Sequence, residues 1–326
     1  MTPLRERLVE RIRAEGPLTF AQYMEAALYD PDGGFYARGP AIGAGGQFAT
    51  SALAHHAFAD AVAREAAATW EGLGRPDGFR VTEAGPGSGG LARRVHDLLE
   101  ERGVPHALVL VERSEGLRAR QREALEGVPA TWAAEPAELE PAPGFLYANE
   151  LVDALPVRVL AWPDEVLVGA DGDGRLVEVL APADPAVAAL LPADVVPRAG
   201  GRYAVRPGLP GLVGALAAGV STGRLALIDY GGVGSEVHDG RRDPVRTYIG
   251  GQRGGSPLAA PGTQDITTDV DFGALDAAAA ACGLEVEGLA TQAAWLRGHG
   301  WEAPPADQRD EEGWALAGLL DERLPF

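Results

Sequence analysis

The chain has 326 residues, long enough to bury a full core, and a prior of roughly 150 residues per domain allows one large domain with an elaboration. Hydrophobic residues make up 46% and charged residues 23%, which excludes a disordered chain. The net charge of −19 argues against nucleic acid as a partner, because that binding draws most of its affinity from cations that neutralise phosphates.

In chain order, residues 1–75 read as mainly helical. The start, MTPLRERLVERIRAEG, carries charges throughout and has no apolar signal-peptide centre. No run approaches the eighteen or so apolar residues of a membrane span. A cytoplasmic protein with no membrane partner is therefore expected. Thr19-Phe20-Ala21-Gln22 is a capping box that opens a short helix. A Gly-rich loop runs from Asp30 to Thr50, and Ser51 to Trp70, Ala-rich and free of Pro and Gly, predicts another helix.

From Gly78 the rhythm changes to short apolar runs alternating with helical patterns, the signature of βαβ units and a parallel sheet. Strands are predicted at 79–83, 107–111, near 131–132, at 144–149 and at 224–230, with helices at 91–102 and 117–125. The interval between the last two strands is too long for a simple crossover. Its segments 157–162, 165–168 and 176–180 alternate weakly between turn residues and predict a small antiparallel insertion, at about 157–222. Asp229 to Gln264 reads as loop. Helices are predicted again at 272–281, 291–297 and 310–323, without a clear last strand. Cys282, the single cysteine, reads as apolar filler in an Ala-rich helix, and it rules out an internal disulfide or a cysteine zinc cluster.

The chemistry centres on Glu83-Ala84-Gly85-Pro86-Gly87-Ser88-Gly89-Gly90, between a predicted strand and a predicted helix. Glycines there let backbone pass close under a ligand. All 28 basic residues are arginines, so neither a Schiff-base lysine nor the phosphate-loop lysine of ATPases is available. A dinucleotide site competes for the same glycines. Two acids favour S-adenosylmethionine instead. Glu83, at the strand end, suits the cationic amino-acid portion of that cofactor and would repel a pyrophosphate. Glu112, ending the next strand, stands where such folds place a carboxylate on a ribose diol.

Asn149 and Glu150 close a further strand, followed by Leu151-Val152-Asp153-Ala154-Leu155-Pro156. Open α/β sheets bind ligands beyond the carboxyl ends of their strands, so Asn149, Glu150 and Asp153 are expected to share a cleft with Glu83 and Glu112. A structural alternative has Asp153 capping a short helix that Pro156 ends. Tyr29, Tyr36 and His55 are further substrate-side candidates, as are Asp229 and Tyr230. Each also has a packing role open to it: the tyrosines as a roof or core, and His55-His56 as one packed and one exposed ring. His238, near Glu236 and Asp239, lacks further ligands, so no metal is assigned.

Several stretches together resemble one family, the MidA-like proteins, which include bacterial members and a mitochondrial methyltransferase that helps assemble respiratory complex I. They are FAQYMEAALYDPDGGFY at 20–36, EAGPGSG at 83–89, NELVDALP at 149–156, Asp229-Tyr230-Gly231, PGTQDITTDVDF at 261–272 and Thr291-Gln292. The resemblance implies a class I methyltransferase fold of α/β type. Its Rossmann-like sheet would occupy 76–326 with the β-rich insertion on the substrate side, behind a helical region and loop over 1–75 that cover the site. It further implies that Glu83, Gly85, Pro86, Gly87, Gly89, Glu112 and Asn149 hold S-adenosylmethionine, with Glu150 and Asp153 as catalytic residues at the substrate end. For the mitochondrial member it implies symmetric dimethylation of an arginine on a protein.

The chain departs from the family's Gly-Asp-Phe-x-Thr and following Pro-Glu, with Gly46-Gln47-Phe48-Ala49-Thr50 and then Ser51-Ala52-Leu53. A Gly-Thr-Leu-x-x-Tyr stretch with a following His is replaced near Asp243 to Tyr248, with Gly251 or its neighbours where the His is expected. Three acceptor readings stay open: a protein side chain, a small molecule methylated at O or N, and an assembly partner with little turnover. A homodimer is compatible with all three, and a nicotinamide oxidoreductase is the outsider on fold alone.

Overall fold

The computed structural model describes residues 2–39 and 55–321. The segment with Gly43 to Gly46, the departures at 46–53 and the start of the helix predicted from Ser51 lie outside them. The chain forms two compact units, each built from several passes. One comprises residues 1–40, 150–214 and 229–284, and the other 41–149, 215–228 and 285–326. The sequence division at residue 75 follows a change in rhythm, whereas the compact units divide the chain at Pro40 and again after Asn149.

The second unit holds a five-stranded, wholly parallel sheet. Its order is Val220–Ile228, Ala142–Asn149, Arg80–Ala84, Ala107–Val111, Ala130–Ala133. From Arg80–Ala84 the chain winds outward through two strands, then returns to the other side of its starting strand. The order therefore reverses between Arg80–Ala84 and Ala142–Asn149. Parallel strands tend to bury both faces, and the apolar runs of the three central strands are mostly buried. Phe58, Val62 and Ala66 of His56–Gly72 and Val95 and Leu99 of Gly90–Glu101 pack with Val81, Phe145 and Tyr147. Leu108, Leu110 and Leu125 pack with Ala92 in a separate cluster. Among the described residues the sheet ends at Val220–Ile228, and the stretch after residue 285 is helical at Gln292–Gly298 and Glu311–Leu319.

The first unit is antiparallel where its strands are longest. Asp164–Ala170 pairs with Leu176–Pro182 along one edge and, in succession along the other, with Arg158–Ala161 and Leu18–Thr19, and Arg158–Ala161 pairs with Arg202–Val205. The β-rich insertion is thus present, and the N-terminal segment contributes a short strand to it. Thr19 caps the helix Phe20–Tyr29 through the expected reciprocal bonds with Gln22.

The stretch expected to be loop from Asp229 to Gln264 is not all loop. Val245–Ile249 pairs antiparallel with Gln252–Arg253 and with Asp265–Thr268. The turn between Ile249 and Gln252 is Gly250-Gly251, both at positive φ (57° and 76°), the conformation that a two-residue hairpin requires. No described helix is long and apolar enough to cross a membrane.

Candidate functional site

In the parallel-sheet unit the glycine loop lies at the reversal of strand order, where open α/β sheets bind ligands. Gly85, Gly87 and Gly89 have φ of 70°, 54° and 84°, which a side chain would oppose at each position. Gly85 N–H donates to Val111 O at 3.0 Å, and Gly89 is the cap of the helix Gly90–Glu101.

Glu112 is buried at the tip of Ala107–Val111. Its carboxylate accepts from Ser114 N (2.8 Å) and from Gln121 Nε2 (3.3 Å). Burial pushes its pKa up to about 7, against the opposing hydrogen bonds from Ser114 and Gln121. Gln121 also donates to Gly87 O at 2.8 Å and accepts from Trp132 Nε1 at 2.9 Å, so one side chain ties the glycine loop to the acid and to the next strand. Sequence reading missed Gln121, because its neighbours Arg120, Arg122 and Glu123 give it the look of an exposed helix face.

Glu83 lies deeper, 2% exposed, and accepts from Tyr147 OH at 3.0 Å. The two residues stand opposite each other in adjacent parallel strands. Burial raises the Glu83 pKa to about 8, with Tyr147 and the Ala92 backbone opposing the rise. Its carboxyl group bonds Tyr147 and the Ala92 backbone, which ties the end of its strand to the helix after the glycine loop. Asn149, at the end of Ala142–Asn149, presents a buried Oδ1 that accepts no hydrogen bond from the described residues. Such an atom is costly unless a ligand donor meets it.

The antiparallel unit gathers a second group. Glu150 and Asp229 each follow directly on the last residue of a strand, Asn149 and Ile228, and those two strands are neighbours in the parallel sheet. Asp229 accepts from Val152 N, Asp153 N and Tyr230 N at 2.8, 3.1 and 2.8 Å, which fixes the turn that carries Asp153. Glu150 accepts from Tyr230 OH at 2.7 Å and holds a φ of 52°. A non-glycine residue in that region costs about 1–3 kcal/mol and is found where a site demands it. Asp265 accepts from Tyr36 OH at 2.9 Å. Tyr36 stacks on Tyr29, with ring centroids 5.4 Å apart, and Tyr29 OH donates to Ala154 O at 3.0 Å. The Asp30 turn makes that stack, since Gly34 N–H and Asp32 N–H both bond back to Asp30.

Asp153 is buried, and burial followed by the charges of Asp229, Asp265 and Glu150 holds its pKa well above the usual carboxylate range. Asp229 and Asp265 are each pushed up to about 6, burial being the larger cause in both. Arg206 opposes these charges at Asp153, and its Nε, Nη1 and Nη2 donate to Val152 O, Asp269 O and Thr268 O at 3.0, 2.8 and 2.6 Å. Glu150, Asp153, Asp229, Tyr29, Tyr36 and Tyr230 thus come together, and Asp265 and Arg206 join them.

His55 does not belong to this group. It lies in the parallel-sheet unit, where its Nδ1 accepts from Ala57 N at 3.0 Å and its ring stacks on His56 and meets the edge of Trp301. It caps the helix His56–Gly72. His238 bonds Asp271 at 3.2 Å.

A parallel α/β sheet with a positive-φ glycine loop at its reversal and an acid on the adjacent strand tip defines a nucleotide-cofactor enzyme of Rossmann-like build. Residues 61–290 match the model of a family of S-adenosyl-L-methionine-dependent methyltransferases, and the chain belongs to that family, the MidA-like proteins. It is an α/β methyltransferase whose cofactor is S-adenosylmethionine. Among curated relatives it is similar to the mitochondrial protein arginine methyltransferase NDUFAF7 of Bos taurus, with 29% identity covering 83% of this chain and 68% of that one. The Homo sapiens protein of the same name is 27% identical over the same shares. A Burkholderia thailandensis crystal structure bound to S-adenosyl-homocysteine shares 27% identity and a TM-score of 0.87, covering 99% of this chain and 89% of that one.

Proposed function

We propose that this methyltransferase transfers the methyl group of S-adenosylmethionine to an arginine guanidinium on a protein. The observation that carries the reading is the gathering of Asp153, Asp229 and Asp265 beside Glu150, where burial and the neighbouring negative charges hold the Asp153 pKa well above the usual carboxylate range. A cation brought to such a group favours its ionised form and relieves the repulsion between like charges. A planar guanidinium is such a cation, with five donors in a fork that matches carboxylates. The relatives named as protein arginine methyltransferases support the same acceptor.

Bound S-adenosylmethionine supplies the activated methyl group. Gly85, Pro86, Gly87 and Gly89 admit it close to backbone, Glu112 accepts from its ribose hydroxyls, and Asn149 Oδ1 accepts a donor from it. Glu83 acts through the helix it ties to its strand. On the acceptor side Glu150 and Asp153 grip the guanidinium. Arrival of that cation favours ionised Asp153, which then takes the proton released as nitrogen forms its bond to carbon. Holding nucleophile, carbon and sulfur in line provides up to about 7–11 kcal/mol.

The test is incubation of the purified protein with methyl-labelled cofactor and a cell lysate, then acid hydrolysis of the protein fraction. Label in methylated arginine, absent with Asp153→Asn, is the expected result. Label confined to small molecules would replace this reading with a small-molecule methyltransferase, and no transfer at all would favour an assembly role.

A further inference from the structure

We propose that the parallel-sheet unit carries a structural site for a zinc-type divalent cation, built from His96, Glu100 and His106. One ligating atom from each of the three lies within 4.8 Å of those of the other two. His96 and Glu100 are one turn apart on the helix Gly90–Glu101, the spacing that puts two ligands on one helix face. His106 stands directly before the strand Ala107–Val111. Its Nδ1 lies 2.9 Å from Val104 O, and since a carbonyl only accepts, that nitrogen carries the hydrogen. The remaining nitrogen, Nε2, therefore holds a lone pair. A backbone carbonyl fixing the far nitrogen of an imidazole is the usual outer support of a metal-bound histidine.

His106 Nε2 is aimed at His96 Nδ1, 2.9 Å away. Without an ion, His96 Nδ1–H donates to it. With an ion, the His96 proton moves through solvent to Nε2, both imidazoles stay neutral, and the two facing nitrogens become ligands. Two nitrogens around a tetrahedral ion with bonds of about 2.0–2.1 Å stand about 3.3 Å apart, so the pair opens by a few tenths of an ångström. The His106 side chain is 0% exposed and that of Glu100 63%, which makes Glu100 the solvent-side ligand and leaves a fourth position to water. Nitrogen and carboxylate donors suit zinc, cobalt or nickel rather than magnesium or calcium.

The ion would clamp the helix after the glycine loop to the start of the strand that ends in Glu112. Six residues of extended chain separate His106 from Glu112, about 20 Å, so the role is structural. A second group, His55, His56 and Glu312, also brings three ligating atoms within the same 4.8 Å, but His55 Nδ1 already accepts from Ala57 N.

Titration of the purified chain with zinc chloride by calorimetry, and with cobalt chloride by visible absorption, tests the assignment. The expected result is one ion per chain, with affinity falling at least about tenfold in His96→Ala and in Glu100→Gln and unchanged in His55→Ala/His56→Ala. Binding of S-adenosylhomocysteine by each variant reports that it is folded. No uptake by the unaltered chain, or uptake that survives His96→Ala and is lost in His55→Ala/His56→Ala, would overturn the proposal.

Discussion

At the residue scale, the acids that end apolar runs were legible, whereas their partners were not. Glu83 and Glu112 stand out because each follows a strand pattern of buried residues. Gln121 and Tyr147, which hold them, carry no local signal of their own, since pairing across strands and helices is decided by register. Asp265 lay within a stretch read only through family resemblance. Two predictions belong here. Glu112→Ala should weaken S-adenosylhomocysteine binding by about ten- to a hundredfold, measured by calorimetry, because a charged hydrogen-bond acceptor contributes about 1.5–3 kcal/mol. Glu83 concerns stability. Its folded pKa of about 8 lies above the ordinary 4.5, so the protonated form is favoured by folding. That contribution is full below about pH 4.5 and is lost as pH rises through 8. The melting temperature of the cofactor-free protein should fall between pH 5 and 8, and Glu83→Gln should flatten the fall while keeping a partner for Tyr147. An unchanged slope in that variant would assign the titration to other groups.

At the scale of elements, the parallel strands and their helices follow from apolar runs and caps, and they appear close to the predicted positions. The hairpin at Val245–Ile249 and Gln252–Arg253 escaped because its strand carries Arg246 and Thr247 and its partner is only two residues long. The Gly250-Gly251 pair was the signal that could have revealed it. The glycine loop offers the sharper test. A Cβ at Gly89 would lie 3.3 Å from Gln121 Cα and Cγ, at a φ of 84°. Gly89→Ala should cost about 1–2 kcal/mol from backbone conformation alone. It should also displace Gln121 from Gly87 and Glu112, so a lowered melting temperature with weakened cofactor binding is expected. Stability loss with full cofactor affinity would show that the loop's shape does not depend on Gln121.

At the scale of the whole molecule, the chain forms two units and passes from one to the other at the ends of two strands that are neighbours in the parallel sheet, Asn149 to Glu150 and Ile228 to Asp229. Sequence rhythm marks the parallel sheet well and the other unit poorly, because several strands of that unit are only two to four residues long. The central claim is that the carboxylate group serves the acceptor and not the cofactor. Its most direct test compares, in Asp153→Asn, the affinity for S-adenosylhomocysteine with the rate of methyl transfer to protein. Affinity within about twofold of the unaltered chain with transfer reduced at least about a hundredfold is the predicted result. Transfer at the unaltered rate, or a matching loss of cofactor affinity, would contradict it.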